Sequence, residues 1–200
     1  MTGKMIYIEF IEREAGTPIE VFRHLGNQQS AWSEGATDRM ILQLGRTLRL
    51  GPKPSYLCLW EIPDIGRLDV WEEYFHSSAA AENRRSQAMH RAISIQRAGL
   101  YDVLWQAETL DAPLYLILFC EPGGLTNETT LINAYQTIDT SSQLLLLLRR
   151  VGKAGPNPPF LAIWGGSTFV ALEPLIRDAD RQAWSVVDLG IYRPFGAEVL

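Results

Sequence analysis

Two carboxylates, Glu9 in MIYIEF and Asp102 in LYDVLW, lie in runs that alternate as strands do, with aromatic residues beside them. In the first run Ile6, Ile8 and Phe10 make one apolar face, which leaves Tyr7 and Glu9 on the other. In YLCLW, at 56–60, Leu57 and Leu59 are the plain apolar face, opposite Tyr56, Cys58 and Trp60. In the run at 100–107, Tyr101, Val103 and Trp105 oppose Leu100, Asp102, Leu104 and Gln106. If the polar-bearing faces coincide, Tyr7, Glu9, Tyr56, Trp60 and Asp102 share one surface. Two carboxylates in a poorly solvated site raise the pKa of at least one, which suits acid or base work near neutral pH. The competing reading leaves each carboxylate at a strand end, facing solvent or accepting a local hydrogen bond.

The three histidines, His24, His76 and His90, all fall in the first half. His24 points away from the apolar helical face of Phe22 and Leu25. His76 and His90 flank Phe75 and Met89, from where either could reach a pocket beneath Trp71 as an acid, a base or a haem ligand. The plainer reading puts each at the surface. No HxxxH, HxH or CxxC spacing supports a metal centre, and EPGG and WGGS lack the phosphate-binding glycine patterns. Tyr56, Trp60 and Trp71 would wall a pocket for a hydrophobic or aromatic small molecule, with His90 at its edge.

The elements that must position these residues occur twice. GPKPSYLCLW at 51–60 and GPNPPFLAIW at 155–164 share five identities at an offset of 104, and Leu42, Leu44 and Arg46 fall on Leu146, Leu148 and Arg150. MIYIEFIE matches LYLILFCE at an offset of 109. Helical spacing follows at 18–32 and 127–137, then at 67–76 and 169–180, and closing strands at 100–107 and 186–193 align through Asp102 and Asp188. Both halves read βαββαβ, the ferredoxin-like arrangement with strand order 4-1-3-2. The first half, 1–110, carries an additional helix near 78–97, and the second spans 111–200. On the surface equivalent to the Glu9 face stand Leu116, Leu118, Phe160, Ala162, Trp164, Asp188 and Tyr192. Tyr7 and Glu9 have become leucines there.

With this repeat the chain resembles the dimeric α/β-barrel superfamily in tandem, fused form. MIYIEF and LWEIPDIGRLDVWEEYF are also similar to the NIPSNAP and antibiotic-biosynthesis-monooxygenase branches. The resemblance implies an α+β fold in which two tandem ferredoxin-like units pack their antiparallel sheets as an α/β barrel. It admits cofactor-free oxygenases, isomerases, cyclases, dehydratases, haem enzymes and members without catalysis.

A formal charge of -5 argues against nucleic acid as a partner, and no apolar run of membrane length or export signal is present, so the chain reads as cytoplasmic. Cys58 and Cys120 sit in apolar runs as buried thiols. The leading functional expectation is a cofactor-free enzyme using Glu9, with Asp102, Tyr7 or His76, for proton transfer of the isomerase, cyclase, dehydratase or lyase type. A cofactor-independent monooxygenase, a haem protein ligated by His76 or His90, and a non-catalytic binding protein are the alternatives. A homodimer is compatible with all of them.

Overall fold

The computed structural model describes residues 4–17, 38–50, 55–77, 93–121, 128–136, 138, 141–177 and 185–194. The elements run β1 (Met5–Arg13), β2 (Arg39–Arg46), β3 (Tyr56–Ile62), α1 (Gly66–His76), β4 (Ile93–Gln106), β5 (Leu114–Glu121), α2 (Glu128–Gln136), β6 (Gln143–Arg150), β7 (Phe160–Gly166), α3 (Phe169–Arg177) and β8 (Ser185–Pro194). The strands close into a barrel in the order β1-β3-β2-β8-β5-β7-β6-β4, antiparallel throughout. Within it β4-β1-β3-β2 and β8-β5-β7-β6 each follow the order 4-1-3-2. The expected α+β architecture of paired ferredoxin-like sheets is therefore present.

Alternation sorts the side chains into layers. Ile6, Ile8, Phe10, Leu57 and Leu59 meet Ile117, Phe119, Leu146, Leu148 and Leu161 in one core inside the barrel. Phe10 and Phe119, aligned by the offset of 109, lie 6.4 Å apart there. The outer face of the second sheet carries Leu116, Leu118, Ala162 and Trp164 against Tyr135 of α2 and Leu172 and Leu175 of α3. The outer face of the first sheet carries a smaller cluster of Ile11 and Cys58, with Met40, Tyr56 and Trp60 beside it. The surface bearing Glu9 is thus the helix side of the sheet, a point that alternation alone leaves open.

The duplicated segments pair in the same register. Tyr7, Glu9 and Ile11 stand opposite Trp60, Cys58 and Tyr56. Leu116, Leu118 and Cys120 stand opposite Trp164, Ala162 and Phe160. In the second half, Arg150 holds the GPNP turn: its Nη1 donates to the carbonyls of Gly155 and Pro156 at 3.1 and 3.0 Å and to Oδ1 of Asn157 at 2.7 Å. Gly155, at φ +144°, suits the turn because a Cβ there would also lie 2.8 Å from the Cα of Gly99. The first-half prolines of this motif, with the helix expected over 18–32, lie outside the described residues.

Two expectations change. Residues 93–97 belong to β4, where Ile93, Ser94 and Ile95 pair with Arg13, Glu12 and Ile11 across a bulge. Any additional helix is confined to 78–92, outside the described residues. The helical spacing of Ile93 and Gln96 loses to strand pairing, which satisfies the backbone of both chains at once. The closing strands, moreover, do not align through Asp102 and Asp188. Asp188 is exposed, its carboxylate accepts from the Leu189 N–H, and Tyr192 turns into the barrel core.

The match is Gly-x-Tyr: Gly99 and Tyr101 in β4, Gly190 and Tyr192 in β8. Each tyrosine ring folds over its glycine, so that a Cβ at Gly99 or Gly190 would lie 2.7 or 2.6 Å from the ring's Cε2. These strands make the two seams of the barrel, and each seam has a clasp of the same design. Leu100 donates to the Ala154 carbonyl and accepts from Val151 N–H, both at 2.8 Å. Ile191 donates to Leu50 at 3.2 Å and accepts from Thr47 at 2.9 Å.

The Tyr101 hydroxyl is buried and finds no hydrogen-bond partner among the described residues. Burial pushes its pKa up to about 12, against the lowering influence of Arg150 and Arg97. Removing an unsatisfied buried hydroxyl relieves a desolvation cost of about 1–3 kcal/mol. Tyr101→Phe is therefore expected to leave stability unchanged or raise it in urea denaturation. A loss above about 1 kcal/mol would show that the hydroxyl is satisfied.

Candidate functional site

Glu9 lies in mid-strand on β1, and its neighbours on the helix side come from three elements. Beside it on β1 is Tyr7; opposite on β3 are Cys58 and Trp60; above them α1 brings Trp71. The Trp60 indole Nε1 donates to Oε2 of Glu9 at 3.0 Å. Trp71 meets Tyr7 and Trp60 edge to face, with ring centroids 5.4 and 5.7 Å apart. Such aromatic contacts fix ring orientation as well as burying area.

This enclosure changes the acidity of the groups inside. Glu9 retains limited solvent exposure. Burial nonetheless pushes its carboxyl from 4.5 up to about 7, and the Trp60 hydrogen bond opposes the rise only in part. Tyr7 is raised to about 12, first by burial and then by the Glu9 charge. Cys58 is pushed well above its ordinary range by burial and by Glu9, with the Gln43 side chain opposing. Near neutral pH the phenol and the thiol stay protonated, and Glu9 alone exchanges a proton readily.

α1 is held down by a group that residue type does not single out. Asp38, at the foot of β2, has its side chain almost fully buried, with Arg67 at 2.7 Å. Its Oδ1 accepts from Arg67 Nε at 2.8 Å, and its Oδ2 accepts from Trp71 Nε1 at 3.1 Å. Asp38 is the one buried charged residue among those described. The sequence carries a signal for it: Arg67 and Trp71 are four apart on α1, and so share a helix face.

Not every expected member joins the site. Tyr7, Glu9, Trp60 and Trp71 come together, and Tyr56 lies further along the same face, opposite Ile11. Asp102 shares the face but stands opposite Met5, four places along from Ala98, which is the partner of Glu9. It is paired instead with Arg149 at 2.9 Å, both side chains 40% exposed. The two carboxylates therefore do not form a couple. His76 ends α1 in solvent, and His90 lies outside the described residues.

The second sheet carries the same layer in apolar form. Leu118 replaces Glu9, and the Trp164 indole N–H, equivalent to that of Trp60, is buried with no partner among the described residues. On that side Tyr135 donates its hydroxyl to Cys120 Sγ at 3.0 Å.

Fold and site together define an antiparallel α+β barrel of ferredoxin-like units with one polar cluster between sheet and helix. Two solved structures share this fold. A protein named as a candidate chlorite dismutase superposes with a TM-score of 0.59 at 9% identity, covering 96% of this chain and 95% of its own. A variant of chlorite dismutase from Candidatus Nitrospira defluvii gives 0.58 at 10% identity, covering 97% and 92%. At this identity the likeness carries the fold. No family model and no curated protein matches the sequence. No helix among the described residues is long and apolar enough to cross a membrane.

Proposed function

We propose that the chain is a small-molecule enzyme in which Glu9 takes and returns a proton on a hydrophobic or aromatic substrate held at the helix side of the first sheet. The observation that carries this reading is Glu9 itself, fixed by Trp60 at 3.0 Å and poised near pH 7. A base with a pKa close to the working pH combines a populated basic form with a useful driving force for transfer. Trp60 engages Oε2 and leaves Oε1 as the atom at which the proton is carried. Tyr7, protonated at neutral pH, is the neighbouring donor for an oxygen on the substrate. Such a step on an acidic C–H bond opens the proton-transfer types of isomerase and lyase and the carbanion-forming cofactor-free oxygenases.

The second reading is haem, which the resemblance to the dimeric α/β-barrel superfamily admits and which the fold shared with the two solved neighbours supports. Of the two ligands expected for it, His90 lies outside the described residues. His76 points into solvent, while burial keeps the phenol of Tyr7 and the thiol of Cys58 protonated and therefore poor ligands for iron. Among the described residues no group of three His, Cys, Asp or Glu side chains is placed to hold a metal ion.

The experiment is hydrogen exchange on carbon. Aromatic and aliphatic ketones and esters with an acidic C–H are incubated with the protein in deuterated water, and deuterium incorporation is read by mass spectrometry. Enzyme-dependent incorporation, cut by about 100-fold or more in Glu9→Gln, is expected. Equal rates in the two proteins would overturn the role of Glu9. A Soret band on adding hemin would favour the second reading.

A further inference from the structure

The network around Glu9 has an equivalent for each of its members in the second half, which permits a comparison within one chain. At the offset of 104 that aligns Trp60 with Trp164, Asp38 falls on Ser142, Arg67 on Ala171 and Trp71 on Leu175. The offset is structurally apt, because Ser142 Oγ donates to the Ala171 carbonyl at 2.7 Å, which joins the same two places that the Asp38–Arg67 pair joins. Leu175 is fully buried against the second sheet. A helix therefore docks on this face with a serine, an alanine and a leucine, and packing alone does not call for an ion pair or two hydrogen-bonded tryptophans. Every polar member of the first-half chain except the tryptophan on the third strand is apolar or uncharged in the second, and Glu9 is replaced together with them.

We infer that Asp38 is a positioning residue for Glu9, acting with Arg67 to hold Trp71 so that Trp71 fixes Trp60 and Tyr7 around the Glu9 carboxylate. The path is continuous. Arg67 grips Asp38 at 2.7 Å, Asp38 accepts from Trp71 at 3.1 Å, Trp71 braces Trp60 edge to face, and Trp60 donates to Glu9 at 3.0 Å. A buried ion pair costs desolvation and is seldom a net gain in stability, which fits a use in placement. The inference rests on the proposed role of Glu9 and adds the group that sets it.

Among the described residues few other charges face Glu9. Tyr7 on β1 and Cys58 on β3 are its titratable neighbours, Ala98 stands across from it on β4, and Asp69, Glu72 and Glu73 of α1 are exposed. A change in its titration thus reports on the tryptophans and on Asp38.

The test uses the full chain labelled with carbon-13 at the glutamate carboxyls, with Glu9 assigned by its loss in Glu9→Gln. Its midpoint is followed by NMR in wild type, Asp38→Asn and Trp71→Phe. Trp71→Phe keeps the ion pair and an aromatic ring, and removes the N–H that Asp38 holds together with the five-membered part of the indole. A shift of about one unit or more in both variants is expected, downward where water reaches the loosened carboxyl and upward where the Trp60 hydrogen bond is lost with its burial kept. An unchanged midpoint in Trp71→Phe, whether or not Asp38→Asn moves, would overturn the relay, since a shift in Asp38→Asn alone is a through-space effect of charge. An ordinary Glu9 midpoint in wild type would sink the proposed proton transfer as well, so the two failures are distinguishable. If Asp38→Asn does not fold, Arg67→Lys takes its place in the same comparison.

Discussion

Glu9→Gln is expected to stabilise the protein above pH 7 and to leave it unchanged below about pH 4.5. In the folded chain the Glu9 pKa is raised from 4.5 to about 7, chiefly by burial. The folded state therefore holds the proton more tightly than the unfolded state. Its contribution to stability is fully present below the unfolded value and is lost as pH rises through the folded one. One pKa unit corresponds to about 1.4 kcal/mol, so the loss amounts to about 2–3 kcal/mol once the partial exposure of the residue is allowed for. Glutamine keeps an oxygen for the Trp60 indole and never ionises. Urea denaturation from pH 4 to 9 should show the two proteins diverging between about pH 4.5 and 7 and then running parallel. A constant difference across that range would mean that Glu9 titrates as an ordinary carboxyl. The result also bears on activity, because the cost of the charged form is what brings the group near neutrality.

A second large effect is expected at Gly190. Its Cβ would lie 2.6 Å from Cε2 and 2.9 Å from the hydroxyl of Tyr192, a ring buried inside the barrel. The ring is enclosed and cannot swing away, so Gly190→Ala should cost about 2–3 kcal/mol through overpacking. Trimming the tyrosine makes room: Tyr192→Leu should reduce the cost of the alanine, giving a coupling energy of about 1 kcal/mol or more in a double-mutant cycle. Additive losses would show that the glycine is needed for some reason other than the ring.

The repeat was legible because GPxPxxLxxW keeps both its turn residues and its strand period, and Trp60 and Trp164 accordingly occupy equivalent places. Which residues share a face was legible for the same reason: side chains alternate with a period of two. Position along the face was not. Alternation sets register only to the nearest two residues. Asp102 accordingly lies on the Glu9 face yet four residues, about 13 Å, along it at about 3.3 Å per residue. The closing strands were aligned on a single shared aspartate, whereas the three-residue Gly-x-Tyr spacing has a steric cause and holds in both. Asp38 was missed because one acidic residue before a strand looks like an ordinary turn residue. Only its burial beneath α1 distinguishes it.

The two seams that close the barrel bear on how the molecule breathes. β4 meets β6 from Tyr101–Arg150 to Gln106–Leu146, and among the described residues β2 meets β8 from Leu44–Pro194 to Arg46–Tyr192. Every other ladder lies within one sheet, so parting either seam leaves the pairing inside each sheet intact and separates the sheets along one edge only. The ring then behaves as a clamp that hinges at one seam while the other opens, with Tyr101 at one closure and Tyr192 at the other.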